Sequence, residues 1–195
     1  MRTPTYWFLV IGFLLIAFPA SSIFIQMSPY EQEKGLSAAA AATGLTVYGF
    51  GAVLGRPVWA FVTGRVSIRA ALTVFALSYG LSVAWYTHST GQWMIYASIL
   101  SLGVTVGGSA QLQGQVWPDY YGRRAVGAIT GIATLLNTPA NAGGTVLLGW
   151  VYDLTHQSSL VLTFYAGLAL AAALFFFLSS HPRHPTAAPT PAGVR

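Results

Sequence analysis

The sequence contains no cysteine and very little charge. Without cysteine there are no disulfides, no thiol nucleophiles and no thiolate metal sites. Only 7% of the residues are charged, against roughly 25% in a soluble domain. So few charges cannot cover the surface of a soluble fold of 195 residues, and lipid must be the solvent for much of the chain. The sequence also has no HExxH metal motif, no paired carboxylates within its apolar stretches and no Ser/His grouping there. These absences point away from an enzyme, and no catalytic residue, cofactor or metal is expected. A net charge of +5 invites a nucleic-acid reading. The arginines, however, sit apart at the ends of apolar stretches and form no continuous patch, so no nucleic-acid partner is expected.

What the sequence does have is hydrophobic length. Hydrophobic residues make up 54% of the chain, and mean hydropathy is +0.60. A bilayer core takes about 20 predominantly apolar residues per helix. Six stretches meet that need, at about 6–27, 36–64, 68–86, 92–115, 124–151 and 159–178. They predict an all-α, polytopic membrane protein with a six-helix domain over 1–180. The Pro-rich segment 181–195 reads as a disordered cytoplasmic tail. The first stretch has features of a signal peptide, but its apolar run continues through Ile23-Phe24-Ile25, which favours an uncleaved span.

Loops are expected at Ser28-Pro29, at His88 to Gly91, at Trp117-Pro118-Asp119 and from Asp153 to Ser158. On this reading Glu31, Glu33, Asp119 and Asp153 all lie at or beyond span ends, so no carboxylate sits in the membrane. His88, His156, His181 and His184 also fall outside the spans. One alternating side carries Arg2, Arg65, Arg69, Arg123, Arg124, Arg183 and Arg195, and the other carries only Lys34. Positive charge marks the cytoplasmic side. The chain is therefore read as a multi-pass cell-membrane protein with both termini cytoplasmic.

Polar residues inside the spans carry the functional signal. In the fourth span Ser98, Ser101, Thr105 and Ser109 recur at spacings of three and four, as do Thr130, Thr134, Asn137, Asn141 and Thr145 in the fifth. Such spacing places each set on one helix face. Each face is either glue between helices or the lining of a cavity. Pro139 lies between the two asparagines and frees a carbonyl. Small-xxx-small pairs stand at Gly51/Gly55, Gly103/Gly107 and Gly127/Gly131, and read first as sites of close helix packing.

Arg56 is the most informative position. It lies near the middle of the second span, where a charge costs at least about 2.5–3.5 kcal/mol on insertion scales. It should face an interior or a water-filled cavity and attract an anion. Snorkelling to the interface and pairing with an acid of another chain are the structural alternatives. Arg56, Asn137, Asn141, Thr105 and Ser109 are the candidate substrate-binding residues.

Several segments resemble the major facilitator superfamily, in particular the C-terminal six-helix half of such a transporter. Glu33-Lys34-Gly35-Leu36-Ser37 is similar to the loop before that family's eighth helix. Leu54-Gly55-Arg56-Pro57-Val58-Trp59 resembles the eighth helix of the monocarboxylate and oxalate/formate branch, where the resemblance implies an arginine that binds the substrate carboxylate. Tyr121-Gly122-Arg123-Arg124 with Gly127 and Gly131 resembles the entry to the eleventh helix, and Gly149 to Thr155 its exit. There are departures. Ala60, Gly64 and Ser67 stand where the family usually has Gly, Asp and Gly. Ala52 replaces the acid of proton-coupled members, and the fifth span lacks the lysine of some oxalate carriers.

The resemblance implies secondary transport of a small solute, such as a monocarboxylate or another organic anion, by alternating access. The partners expected are the solute, the lipid bilayer and a second six-helix half. That half is a second copy, another chain or the rest of a longer gene product. The alternative is a non-transporting membrane scaffold or a truncated remnant of a transporter.

Overall fold

The computed structural model describes residues 4–121, 126–155 and 157–179. Among these residues every regular element is helical: α1 (Pro4–Glu33), α2 (Ala38–Thr63), α3 (Ile68–His88), α4 (Gln92–Gly107), α5 (Ser109–Tyr121), α6 (Val126–Thr155) and α7 (Ser158–Leu178). Two serines start helices as expected of N-caps. The Ser37 hydroxyl accepts from the Ala40 amide at 3.2 Å, and Ser67 accepts from Ala70 at 3.3 Å. Gly35, in the turn before α2, has φ +88, a left-handed conformation that glycine adopts without penalty.

Three sequence-based boundaries need correction. The first helix does not stop at Ser28-Pro29; α1 continues to Glu33 with Pro29 inside it. Proline removes one helix donor but leaves the flanking bonds intact. Glu31 is consequently inside the helix and fully buried, not in a loop. Pro118 likewise lies within α5, and Asp153 lies within α6. The fourth expected span is broken at Gly108 into α4 and α5. Arg2, Arg123, Arg124, His156, His181, Arg183, His184, Arg195 and the expected tail lie outside the described residues.

Among the described residues, five stretches are long and apolar enough to cross a bilayer: Thr5–Glu33, Ala38–Thr63, Ile68–His88, Gln92–Tyr120 and Ser158–Leu178. The protein is therefore multi-pass. The fifth expected span, 124–151, corresponds to α6, which has 30 residues but does not reach the same hydropathy. Its length is sufficient; Asn137, Asn141 and the accompanying threonines lower its mean.

The helices associate chiefly as α2 with α4, α3 with α7, and α1 with both α6 and α7. The α2–α4 seam is made by glycine. A Cβ on Gly51 would come within 2.7 Å of the Leu100 carbonyl oxygen and 3.1 Å of the Gly103 Cα, while Gly55 and Gly107 face the Val104 and Ala52 carbonyls. Two of the three glycine pairs thus let backbones touch, as lipid-embedded helices require. Gly127 and Gly131 differ, since among the described residues no atom beyond the adjoining helix backbone lies within 4 Å of a Cβ placed on either.

At the end of the bundle away from Arg65 and Arg69, Lys34 closes α3. Its ammonium donates to the carbonyls of Tyr86 at 2.8 Å, Thr87 at 2.9 Å and Ser89 at 2.8 Å. A cation there complements the negative end of the helix. Burial pushes the Lys34 pKa below its ordinary value, and the three carbonyls oppose that by favouring the charged form.

Candidate functional site

The break at Gly108 is what shapes the site. The Gly108 amide bonds the Thr105 carbonyl at 3.2 Å and so turns away from Val104, its helical acceptor. The Trp59 indole of α2 supplies the missing donor, at 3.1 Å from the Val104 oxygen. Trp59 also packs over Gly108, where an added Cβ would meet the Trp59 Cβ at 2.8 Å. Glycine at 108 and tryptophan at 59 therefore fix the kink together, and the kink redirects the polar stripe of the fourth span.

Before the kink, the hydroxyls of that stripe are satisfied within the bundle, two on their own helix and one across to α3. Ser98 donates to the Ile95 carbonyl at 2.7 Å, Ser101 shares a 2.7 Å hydroxyl pair with Ser82 of α3, and Thr105 donates to the Ser101 carbonyl at 3.0 Å. After the kink, Ser109 lines a cavity of about 320 Å³. Facing it across the cavity from α6 are Asn137 and Asn141, with Thr134 and Thr138 beside them. Gln113 of α5 and Tyr79 of α3 complete the polar lining, and Phe13, Ile16 and Phe75 form apolar walls.

The two asparagines differ in freedom. The Asn141 amide donates to the Asn137 carbonyl at 2.9 Å, and the Asn141 carbonyl accepts from Ser21 of α1 at 3.0 Å. Asn141 thus ties α1 to α6 near Pro139 as well as lining the cavity. The Asn137 side chain has no hydrogen-bond partner among the described residues, so its carboxamide is available to a solute or water.

Arg56 lines a neighbouring cavity of about 430 Å³, with Ala52 on α2, Val106 and Gly107 on α4, and Ser109 and Gln111 on α5. Ser109 and Val106 belong to both cavities, which therefore adjoin. Arg56 is exposed and forms no hydrogen bond or ion pair among the described residues. The arrangement places a free guanidinium, a hydroxyl and a free carboxamide around two adjoining cavities. Such a set can orient a small anion and hydrogen-bond its polar groups.

The structure brings Ser109, Asn137 and Asn141 together and places Arg56 next to them. It does not bring Thr105, which is buried and lines a separate cavity with Trp59, Ser78 and Ser101. Sequence reasoning missed Gln113, Gln111 and Tyr79. The cluster Gln111-Leu112-Gln113-Gly114-Gln115 carried that signal for the two glutamines. No signal in the sequence singled out Tyr79 from the other tyrosines.

Comparison with known proteins follows the same line. The hexose-6-phosphate:phosphate antiporter of Salmonella typhimurium strain LT2 is 32% identical over 104 residues, covering 52% of this chain and 22% of that protein. The antiporter of the same description from Escherichia coli K12 is 30% identical over 105 residues, with the same shares. The chain thus spans less than a quarter of the length of these curated relatives. A model of the Major Facilitator Superfamily matches residues 4–195. With a match over nearly its whole length, on a multi-pass helical fold with a polar recess between its helices, the chain belongs to the Major Facilitator Superfamily.

Proposed function

We propose that this protein moves a small organic anion across a membrane as one half of an alternating-access transporter, with Arg56 as the anion anchor. The observation that carries the reading is the unpaired Arg56 guanidinium on a cavity that shares its Ser109 wall with the cavity lined by Asn137. A charge placed in an apolar helix without a partner is costly, and an anionic solute is the partner that would offset it. In this reading α6 also crosses the membrane, as the fifth of six spans, and its polar face meets the solute path instead of lipid. Both termini are cytoplasmic, and residues 1–180 act with a second six-helix half, since transporters of this build place the site between two halves.

Two anion classes fit a guanidinium, carboxylates and phosphates. The branch resemblance favours a monocarboxylate. The relatives named above are antiporters of hexose 6-phosphate and phosphate, which makes phosphate esters the competing class. The test is uptake into proteoliposomes by the complete assembled protein, whose mass is first established by native mass spectrometry. Labelled monocarboxylates, hexose phosphates and phosphate are offered separately. Arg56→Ala should lower anion uptake by about 10–100-fold, from the 1.5–3 kcal/mol of a charged hydrogen bond. Undiminished uptake in Arg56→Ala, or no anion moved by the intact assembly, sinks the proposal.

A further inference from the structure

Glu31 has no part in the anion path. It lies two residues inside the end of α1 and is 0% exposed. Neither carboxyl oxygen has a hydrogen-bond partner among the described residues. The carboxyl is pressed against α2, where a Cβ on Gly44 would come within 2.6 Å of Oε1 and 2.8 Å of Cδ. Only glycine at 44 leaves it room.

The titratable groups around it are engaged elsewhere. On α1, Tyr30 donates to the Thr87 carbonyl at 3.1 Å, and Glu33 accepts from Ser158 of α7 at 2.9 Å. Lys34, the obvious counter-ion, is held by the carbonyls that end α3. From α3, Tyr86 interacts electrostatically with Glu31 but donates to the Met27 carbonyl at 3.3 Å, and His88 is exposed. On α2, Tyr48 lies one turn beyond Gly44 with its ring against Phe24. On α4, Tyr96 donates to the Ala40 carbonyl at 2.9 Å.

An ionised carboxylate in this place would be desolvated with neither counter-ion nor donor, and buried groups so placed neutralise instead. The burial is complete within this chain alone. A second half therefore cannot supply the missing donor unless α1 and α2 first part. We propose that Glu31 is a proton-binding site of this protein, loaded while α1 and α2 are closed on each other at Gly44 and emptied when that contact opens to water. The inference does not depend on which anion is moved or on the role of Arg56.

Infrared difference spectroscopy of the full-length protein in lipid tests it without any transport measurement. At neutral pH the wild type should show the C=O band of a protonated carboxyl that Glu31→Gln removes. Absence of that band in the wild type, or its survival at full strength in Glu31→Gln, overturns the proposal. Gly44→Ala provides a second test that keeps the carboxyl and removes its space, and it decides the matter if Glu31→Gln does not fold. The displaced Glu31 should then lose its proton at neutral pH and regain it only near the ordinary glutamate value of about 4.3. A neutral-pH band unchanged in Gly44→Ala overturns the link to the α1–α2 contact.

Discussion

Adding one methyl group at Gly51 should separate α2 from α4. The new Cβ would lie 2.7 Å from the Leu100 carbonyl oxygen, and 3.1 Å from both the Gly103 Cα and the Val104 nitrogen. All three neighbours are backbone, so no rotamer change relieves the clash. Reaching ordinary contact at 3.4 Å requires the helices to part by about 0.7 Å, which loosens the packing along the whole glycine seam. Overpacking of this kind costs about 1–3 kcal/mol, and rigid neighbours place Gly51→Ala near the upper end. Replacing glycine by alanine inside a helix returns about 0.8–1 kcal/mol. The net loss is about 2 kcal/mol, or roughly 30-fold in the ratio of folded to unfolded protein. Gly131→Ala is the matched control, because nothing lies within 4 Å of its Cβ and only the propensity gain remains. The assay is reversible unfolding in mixed micelles, followed by circular dichroism. If Gly51→Ala is as stable as Gly131→Ala, the reasoning about the α2–α4 seam is wrong.

Further outcomes follow from individual contacts. Trp59→Phe keeps the ring over Gly108 but removes the donor to Val104, and should cost about 1–2 kcal/mol in the same unfolding assay. Lys34→Met removes the cation from the end of α3 and should cost about 1–2 kcal/mol, with hydrogen exchange accelerated at the amides around Tyr86 to Ser89. Asn137→Ala should weaken solute binding by about tenfold, the worth of one hydrogen bond, without lowering stability, because its side chain has no partner to lose among the described residues. Ser21→Ala removes the bond from α1 to the Asn141 carbonyl and should cost about 1 kcal/mol, seen as a lower unfolding midpoint.

Helix existence was legible in the sequence because lipid imposes it: twenty apolar residues in a row have few other uses. Helix ends were less legible. Proline normally punctuates soluble helices, yet Pro29 and Pro118 lie inside α1 and α5, where a flanking helix costs less than exposing more backbone to lipid. The kink at Gly108 was invisible because its cause is distant. Trp59 lies 49 positions earlier in the chain, and only the folded bundle brings its indole to Val104. That kink also separates Ser109 from Thr105, which helical spacing had placed on one face. The glycine pairs look alike in sequence, but two make a seam and one faces open space. Spacing identifies a close-approach surface without identifying what approaches it. Glu31 was misread for a related reason, since its burial depends on Gly44, a residue of the next helix.

The seam between α2 and α4 also bears on how the chain enters the membrane. The two helices meet through glycine yet are separated in synthesis by the whole of α3. At roughly 5–20 residues per second, α2 waits several seconds for its neighbour. It is a poor candidate for waiting in lipid, with a hydropathy of 1.4 against 2.5 for α1 and with Arg56 inside it. During that interval α2 is best held by the insertion machinery, and its release into the bilayer should be timed by the arrival of α4.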